Sequence, residues 1–131
     1  MRAVLRRIMT APSGETSALP LPTLSQFDLH HRLADMTGVA LVMFSSPGCG
    51  GCRHLRRVLQ EVVGLQPAWR VFEVDAQRDP GLSNEFEVFH LPTVFLFLDG
   101  EFHCRLEAEA RPAAIVSAAH AALQQPAEEA P

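Results

Sequence analysis

A buried strand that leads directly into a cysteine-bearing turn and a helix constrains the fold of this chain more than any other feature. Residues Val39–Phe44 are all apolar, which is typical of a strand covered on both faces of a sheet. The turn Ser45–Cys52 follows and contains one Pro and three Gly residues. After the turn, apolar residues recur at helical spacing opposite an Arg-rich side. They are Leu55, Val58, Leu59, Val62 and Val63.

Upstream of this unit the sequence predicts a weak strand near Leu21 and then a short helix. The segment Thr23–Ser25 offers a helix N-cap, and Gly38 ends the helical pattern. The residues expected on the buried face of this helix are Phe27, Leu29 and Leu33.

Downstream, the pattern continues with alternating strands and helices. The predicted elements are a strand at Trp69–Asp75, a short helix from Asp79 to about Val88, a strand at Val94–Leu98, an edge strand at Phe102–Leu106 and a helix from Arg111. Asp99-Gly100 is a strong hairpin signal between the last two strands. Alternation on the edge strand predicts that Phe102, Cys104 and Leu106 share a face. This order predicts an α/β fold: parallel crossovers and a terminal hairpin in a mixed central sheet, with helices on both faces.

The length of 131 residues fits one domain, which we place at residues 21–124. Residues 1–20 form a basic leader, in which Arg6 and Arg7 interrupt the apolar stretch that a secretion signal requires. Residues 125–131 form an acidic tail, and we expect both ends to be flexible. We expect the protein to be cytoplasmic.

Charge excludes several classes of function. The net charge is −4, whereas duplex binding requires a basic face. All 11 cationic side chains are Arg, so there is no Lys to act as a base or to form a Schiff base. No apolar run approaches the roughly 18 residues of a membrane span. We therefore expect neither nucleic acid nor a membrane as a partner.

The chemistry of the chain centres on Cys49 and Cys52, two of its three cysteines. Their spacing lets the two sulfurs form a disulfide within one helical turn. The expected helix N-terminus stabilises a thiolate and so lowers the pKa of the first thiol. Cys49 would therefore attack a disulfide, and Cys52 would resolve the mixed disulfide. This pattern predicts a redox-active dithiol.

The neighbours of the two cysteines support this interpretation. Gly50 and Gly51 keep side chains away from the first sulfur, so that a protein disulfide can approach. Arg53 lies one turn beyond Cys49 and would favour the thiolate. No acidic residue occurs between Ser45 and Arg57, so the local field is positive although the chain is acidic.

The sequence also allows other interpretations of the cysteine pair and of the residues around it. A Cys-x-x-Cys pair is also half of a zinc site, although a closed site needs four ligands, and we expect no metal. Cys104 is expected to be a small buried residue. His54 could influence the dithiol, although a solvated position on the helix is favoured, and His90 could flank a substrate groove. His103 is expected at the surface.

The segments Val39–Cys52, Val71–Asp75 and His90–Glu101 together resemble the thioredoxin family. The dithiol motif, the step Leu91-Pro92-Thr93 before a buried strand and the Asp99-Gly100 hairpin carry this resemblance. It covers about residues 21–124 and implies a thioredoxin-like fold and thiol–disulfide oxidoreductase activity.

The resemblance also implies a substrate site. Pro92 would be cis and would pack against the dithiol, and the backbone of Leu91 would pair with an extended substrate segment. Gly48, Gly50 and Gly51 would complete the surface around Cys49. The implied partners are disulfide-bearing client proteins and a thioredoxin-reductase-type electron donor. No bound cofactor is implied, and we expect a monomer that acts as a protein-disulfide reductase.

The chain departs from the family pattern at several positions. Gly48 stands where the family usually has Trp, Met43 stands where it buries an Asp, and Ala108 replaces a groove Gly. The Lys that pairs with the Asp would align near Val71. Without the buried acid, Cys52 would lose its proton to water, or to Glu73 if that side chain points inward. These departures favour an alternative function, an interaction or redox-sensor module with little turnover.

Overall fold

The computed structural model describes residues 19–131. The helices are α1 (Leu29–Ala34), α2 (Gly50–Leu65), α3 (Pro80–Glu85) and α4 (Pro112–Leu123). The strands are β1 (Val39–Ser45), β2 (Arg70–Asp75), β3 (Thr93–Leu98) and β4 (Glu101–Leu106). The predicted leader falls almost wholly outside the described residues.

The four strands form one mixed sheet in the order β2-β1-β3-β4. β1 and β2 are parallel and are joined by α2, as predicted. β3 is antiparallel to β1, so the connection through α3 is not one of the predicted parallel crossovers. The predicted weak strand is a single parallel bridge from Thr23 to Glu73. The dithiol turn therefore leaves the carboxyl end of β1, the central parallel strand.

Helices cover both faces of the sheet, as predicted. One core lies between the sheet and the pair α2 and α4, and includes Leu41, Leu59 and Leu96, none of which is exposed. The second core lies under α1 and α3 and is rich in Phe. Because side chains of β1 alternate between these two cores, the whole strand is buried. The dithiol turn thus rises from the most constrained strand of the fold.

The short N-terminal helix differs from the prediction. It begins at Leu29 after Asp28, and no side chain caps it. Instead, Ser25 donates its backbone N–H to the Asp28 carboxylate at 2.7 Å. Phe27 therefore precedes the helix, and 82 % of its surface is exposed. Val63 on α2 was also predicted to be buried but is partly exposed.

An irregularity in the β3–β4 pairing overturns the prediction for the edge strand. Leu96 is opposite Cys104, but the next residue, Phe97, is opposite Phe102, so His103 is an extra residue in β4. The extra residue reverses the alternation between faces. Cys104 therefore packs in the core under α2 and α4, whereas Phe102 packs against the other core. His103 is buried rather than at the surface, and its Nε2 lies 2.8 Å from the Ala122 carbonyl oxygen.

The hairpin and the C-terminal segment complete the fold. Asp99 and Gly100 both have positive φ, 53° and 83°, as the Asp-Gly signal predicted. The Asp99 carboxylate accepts the backbone N–H of Gly38 at 2.7 Å and ties the hairpin to the loop before β1. Beyond α4, Glu128 donates its backbone N–H to the His103 carbonyl oxygen at 2.7 Å. The acidic tail therefore contacts the edge strand at this point.

Candidate active site

Cys49 and Cys52 form a disulfide at the N-terminus of α2, with their Cα atoms 5.2 Å apart. Cys49 is the N-cap residue, and its Sγ accepts the backbone N–H of Cys52 at 3.1 Å. Cys49 is partly exposed, whereas Cys52 has no exposed surface. The two sulfurs are thus unequal: only Cys49 offers a partner molecule a direct approach.

The loop around the two sulfurs places the other predicted site residues together. The Leu91–Pro92 peptide bond is cis, as the resemblance implied. A Cβ atom on Gly51 would lie 3.6 Å from Pro92 Cδ, so Pro92 packs beside the dithiol turn. A Cβ on Gly48 would meet nothing within 4 Å. The protein has room for a Cβ atom at both positions, so the lack of side chains on these glycines leaves open space above the turn.

Two grooves lie on either side of this loop. The larger, about 440 Å³, runs past Gly51 and Pro92 toward the segment between β4 and α4. The smaller, about 330 Å³, is lined by Leu91 and Phe89. Phe89 is 80 % exposed and was not singled out from the sequence, because a Phe among other apolar residues gives no signal of exposure. Gly51 and Pro92 border the larger groove, and Leu91 borders the smaller one.

A partly buried ion pair lies beneath α2. The Glu73 carboxylate on β2 accepts from Arg56 Nε at 2.9 Å and from Arg56 Nη2 at 2.6 Å. It also accepts from Ser45 Oγ at 2.5 Å. The Glu73 side chain is only 10 % exposed. This cluster joins β1, β2 and α2 at the end of the sheet where the dithiol turn begins.

The pairing holds Glu73 in its charged form. Burial by itself raises the pKa of Glu73, but hydrogen bonds from Arg56 and Ser45 outweigh burial, so its pKa lies below the ordinary value. The hydrogen bonds that Arg56 donates to Glu73 raise the pKa of Arg56. Glu73 does point inward, yet a carboxylate stabilised in this way is a poor proton acceptor. The cluster therefore favours water over Glu73 as the acceptor of the Cys52 proton.

The strand register places a carboxylate opposite the position of the missing acid. Met43 is opposite Glu73 across β1 and β2, whereas Val71 is opposite Leu41. The residue facing Met43 on β2 is therefore Glu73. A carboxylate does lie next to position 43, on the neighbouring strand.

The remaining predicted residues are placed as follows. The Arg53 guanidinium lies near Gly50, since a Cβ there would be 3.8 Å from Arg53 Nη2. His54 and His90 both line the larger groove, and His54 Nε2 lies 3.3 Å from the Ala110 carbonyl oxygen. Cys104 is buried as predicted, and burial first and the Glu128 charge second raise the pKa of its thiol.

Two further properties concern the described part of the chain. Within residues 19–131, no group of three or more His, Cys, Asp or Glu side chains is arranged to hold a metal ion. No helix in this part is long and apolar enough to cross a membrane.

Comparison with protein families and comparison with curated proteins both match this chain to thioredoxins. The family model described as Thioredoxin matches residues 21–121. A thioredoxin of Staphylococcus saprophyticus is 35 % identical over 66 residues, which cover 50 % of this chain and 64 % of that protein. The match thus spans less than two thirds of the length of this relative.

Solved structures show the same fold. Chloroplastic thioredoxin z superimposes with a TM-score of 0.70 at 22 % identity, covering 82 % of this chain and 97 % of that one. The oxidised form of mitochondrial thioredoxin 3 from Saccharomyces cerevisiae gives a TM-score of 0.67 at 22 % identity, covering 77 % and 94 %.

Proposed function

This chain belongs to the thioredoxin family, and from that premise we propose that it is a thiol–disulfide oxidoreductase that reduces disulfides in client proteins. One observation carries the proposal: the Cys49–Cys52 disulfide caps α2 beside the cis Leu91–Pro92 bond, with only Cys49 accessible. A structural disulfide needs no such asymmetry between its two sulfurs. Thiol–disulfide exchange requires this asymmetry, because one sulfur must react with the client while the other stays shielded until the mixed disulfide has formed.

The first step is attack by the Cys49 thiolate on one client sulfur. The client S–S bond breaks, a mixed disulfide forms, and the other client sulfur leaves as a thiolate and takes a proton. The N-terminus of α2 favours the Cys49 thiolate through unpaired N–H groups and the positive end of the helix dipole. The Cys52 N–H that contacts Cys49 Sγ is one of these groups.

The second step is internal. Cys52 gives up its proton, attacks Cys49 Sγ and releases the second client thiol, which leaves the Cys49–Cys52 disulfide. Two electrons have then passed from the dithiol to the client. The 5.2 Å separation of the Cα atoms allows this bond to close without rearrangement of α2. A thioredoxin-reductase-type donor would return two electrons and two protons, so no bound cofactor is needed.

Substrate contacts would come from the surface around Cys49. We assign Leu91, through its backbone, and Pro92 to one side of an extended client segment. Gly48, Gly50 and Gly51 leave the space that this segment would occupy. A reducing compartment such as the cytoplasm suits the chain, since Cys104 is an unpaired buried thiol. We propose that the protein acts as a monomer.

A trapping experiment tests the proposal. The Cys52→Ser variant should accumulate covalent mixed disulfides with a disulfide-bonded client, because the resolving sulfur is gone. Non-reducing electrophoresis and intact mass would show an adduct at Cys49. The Cys49→Ser variant is the matched control, since it retains a thiol at the buried position and should form no adduct.

The same proteins separate reduction from binding alone. The unaltered protein should reduce insulin disulfides with a chemical reductant as donor, and neither single variant should do so. Absence of an adduct with Cys52→Ser, together with partner binding that survives loss of both cysteines, would contradict the proposal and leave an interaction module.

A further inference from the structure

We propose that Arg53 selects clients with an acidic residue beside the reacting cysteine. The inference rests on the proposed function and adds a substrate class to it. It comes from the distribution of charge around the dithiol.

Arg53 has no acidic partner in the described part of the chain. Four ion pairs occur between residues 19 and 131, and they use Arg56, Arg78, Arg111 and His30 as their cations. Arg56 is committed to Glu73, although it lies on the same helix as Arg53. The Arg53 side chain is exposed and makes no hydrogen bond to a described residue. Its charge is therefore available to another molecule.

The position of this charge matches the place where a client would lie. Arg53 Nη2 is 3.8 Å from the site of a Cβ on Gly50, so the guanidinium lies beside the turn between the two cysteines. Arg105, also exposed and without an ion pair among the described residues, lines the groove that passes Gly51. Glu107 is the one acidic residue in the lining of that groove. No acidic residue occurs on α2 before Glu61.

The opposite side of the loop differs in charge. The smaller groove, with Phe89 and Leu91, is lined by no charged side chain. The chain as a whole is acidic, with a net charge of −4, and would repel an acidic segment elsewhere. The dithiol surface therefore complements a client whose reacting cysteine has Asp or Glu on one side.

The size of the expected preference follows from the exposure of the ion pair between Arg53 and the acidic residue of the client. An exposed ion pair changes an equilibrium or a rate by roughly 1.5- to 5-fold, and salt reduces that change. Selection by Arg53 should therefore appear as a modest preference that depends on ionic strength.

Two disulfide-linked peptides provide the test. They differ only in Glu or Gln on both sides of the reacting cysteine. Fully reduced protein is mixed with each peptide, and acid-quenched samples analysed by mass spectrometry give second-order rate constants. We expect the Glu peptide to react roughly 1.5- to 5-fold faster at low salt. The ratio should fall toward one in Arg53→Gln. It should be unchanged in Arg32→Gln, which removes the same charge from α1 on the other face of the sheet.

The ratio separates client selection from other effects of Arg53. If Arg53→Gln slows both peptides equally, Arg53 acts on the Cys49 thiolate alone and the inference is wrong. A ratio near one in the unaltered protein also overturns it, while reduction of both peptides leaves the proposed function intact. If neither peptide is reduced, the proposed function fails and the inference fails with it.

Discussion

Replacing Arg56 with Met removes the partner of a buried carboxylate and tests the ion pair beneath the dithiol helix. Met preserves the apolar stem of the side chain but donates no hydrogen bond. The Glu73 carboxylate, 10 % exposed, keeps only its bond from Ser45. Removing one partner of a fully buried pair costs about 3–5 kcal/mol. Because the Arg56 side chain is 31 % exposed, water can reach the vacated space, and we reduce the expected cost to about 2–3 kcal/mol.

The loss of unfolding free energy in Arg56→Met should depend on pH, and the direction of this dependence can be predicted. In the unaltered protein the pKa of Glu73 lies below its ordinary value of 4.5. The pair therefore stabilises the fold above pH 4.5 and loses this contribution as the pH falls through the folded-state pKa. In Arg56→Met, burial without the guanidinium should raise the pKa of Glu73, so the penalty appears as the pH rises. The difference in the free energy of unfolding should therefore grow from acid to neutral pH.

Urea unfolding of the oxidised protein, followed by the fluorescence of Trp69, measures this difference. Trp69 is the single Trp and is buried, so its emission reports unfolding. We expect about 2–3 kcal/mol of destabilisation at pH 7 and much less near pH 4. Glu73→Gln in the Arg56→Met background should recover most of the loss and abolish the pH dependence. A loss below about 0.5 kcal/mol, or one equal at both pH values, would refute the reasoning.

Two further perturbations follow from the backbone and from the third thiol. Gly100→Ala should lower the free energy of unfolding by about 1–3 kcal/mol in the same urea assay, because φ is 83° and the new Cβ would collide with the Leu33 carbonyl oxygen. The control is Gly64→Ala in α2, where a new Cβ has open space around it, and this variant should be neutral or stabilising. In the reduced protein, an aromatic disulfide reagent at pH 8 should react quickly with Cys49, whose adduct Cys52 then resolves, and slowly with Cys104, since burial raises the pKa of that thiol. Reaction of Cys104 as fast as that of Cys49 in the folded state would contradict the burial of Cys104, whereas equal rates in urea are expected.

Most of the architecture could be predicted because it depends on local pattern. The apolar run Val39–Phe44 is buried along its whole length, and the predicted helix begins directly after Cys49. The Asp99-Gly100 turn is also where the pattern placed it. In each case residues adjacent in sequence determine backbone conformation and burial together, so periodicity and turn chemistry suffice. The dithiol could be located for the same reason, since both sulfurs lie within one helical turn.

The features that sequence reasoning missed depend on contacts between distant segments. The antiparallel direction of β3 and the extra residue at His103 follow from how whole strands pair, and neither leaves a local signature. Phe27 and Phe89 are large apolar residues of the kind found in protein cores, yet both are exposed because no neighbouring element covers them. An apolar residue is buried only when another element packs over it, and that depends on the topology.

The site shows the same division. The sequence by itself determined the dithiol and the positive helix that carries it, because these belong to one strand–turn–helix segment. Only the tertiary structure decided that Glu73 lies opposite Met43 and pairs with Arg56, while Arg53 on the same helix has no ion-pair partner among residues 19–131. Those facts require β2 to lie beside β1 in one register and α2 to cross above it. Pairing between charged groups depends on distance in space, and the order of residues along a chain does not specify that distance.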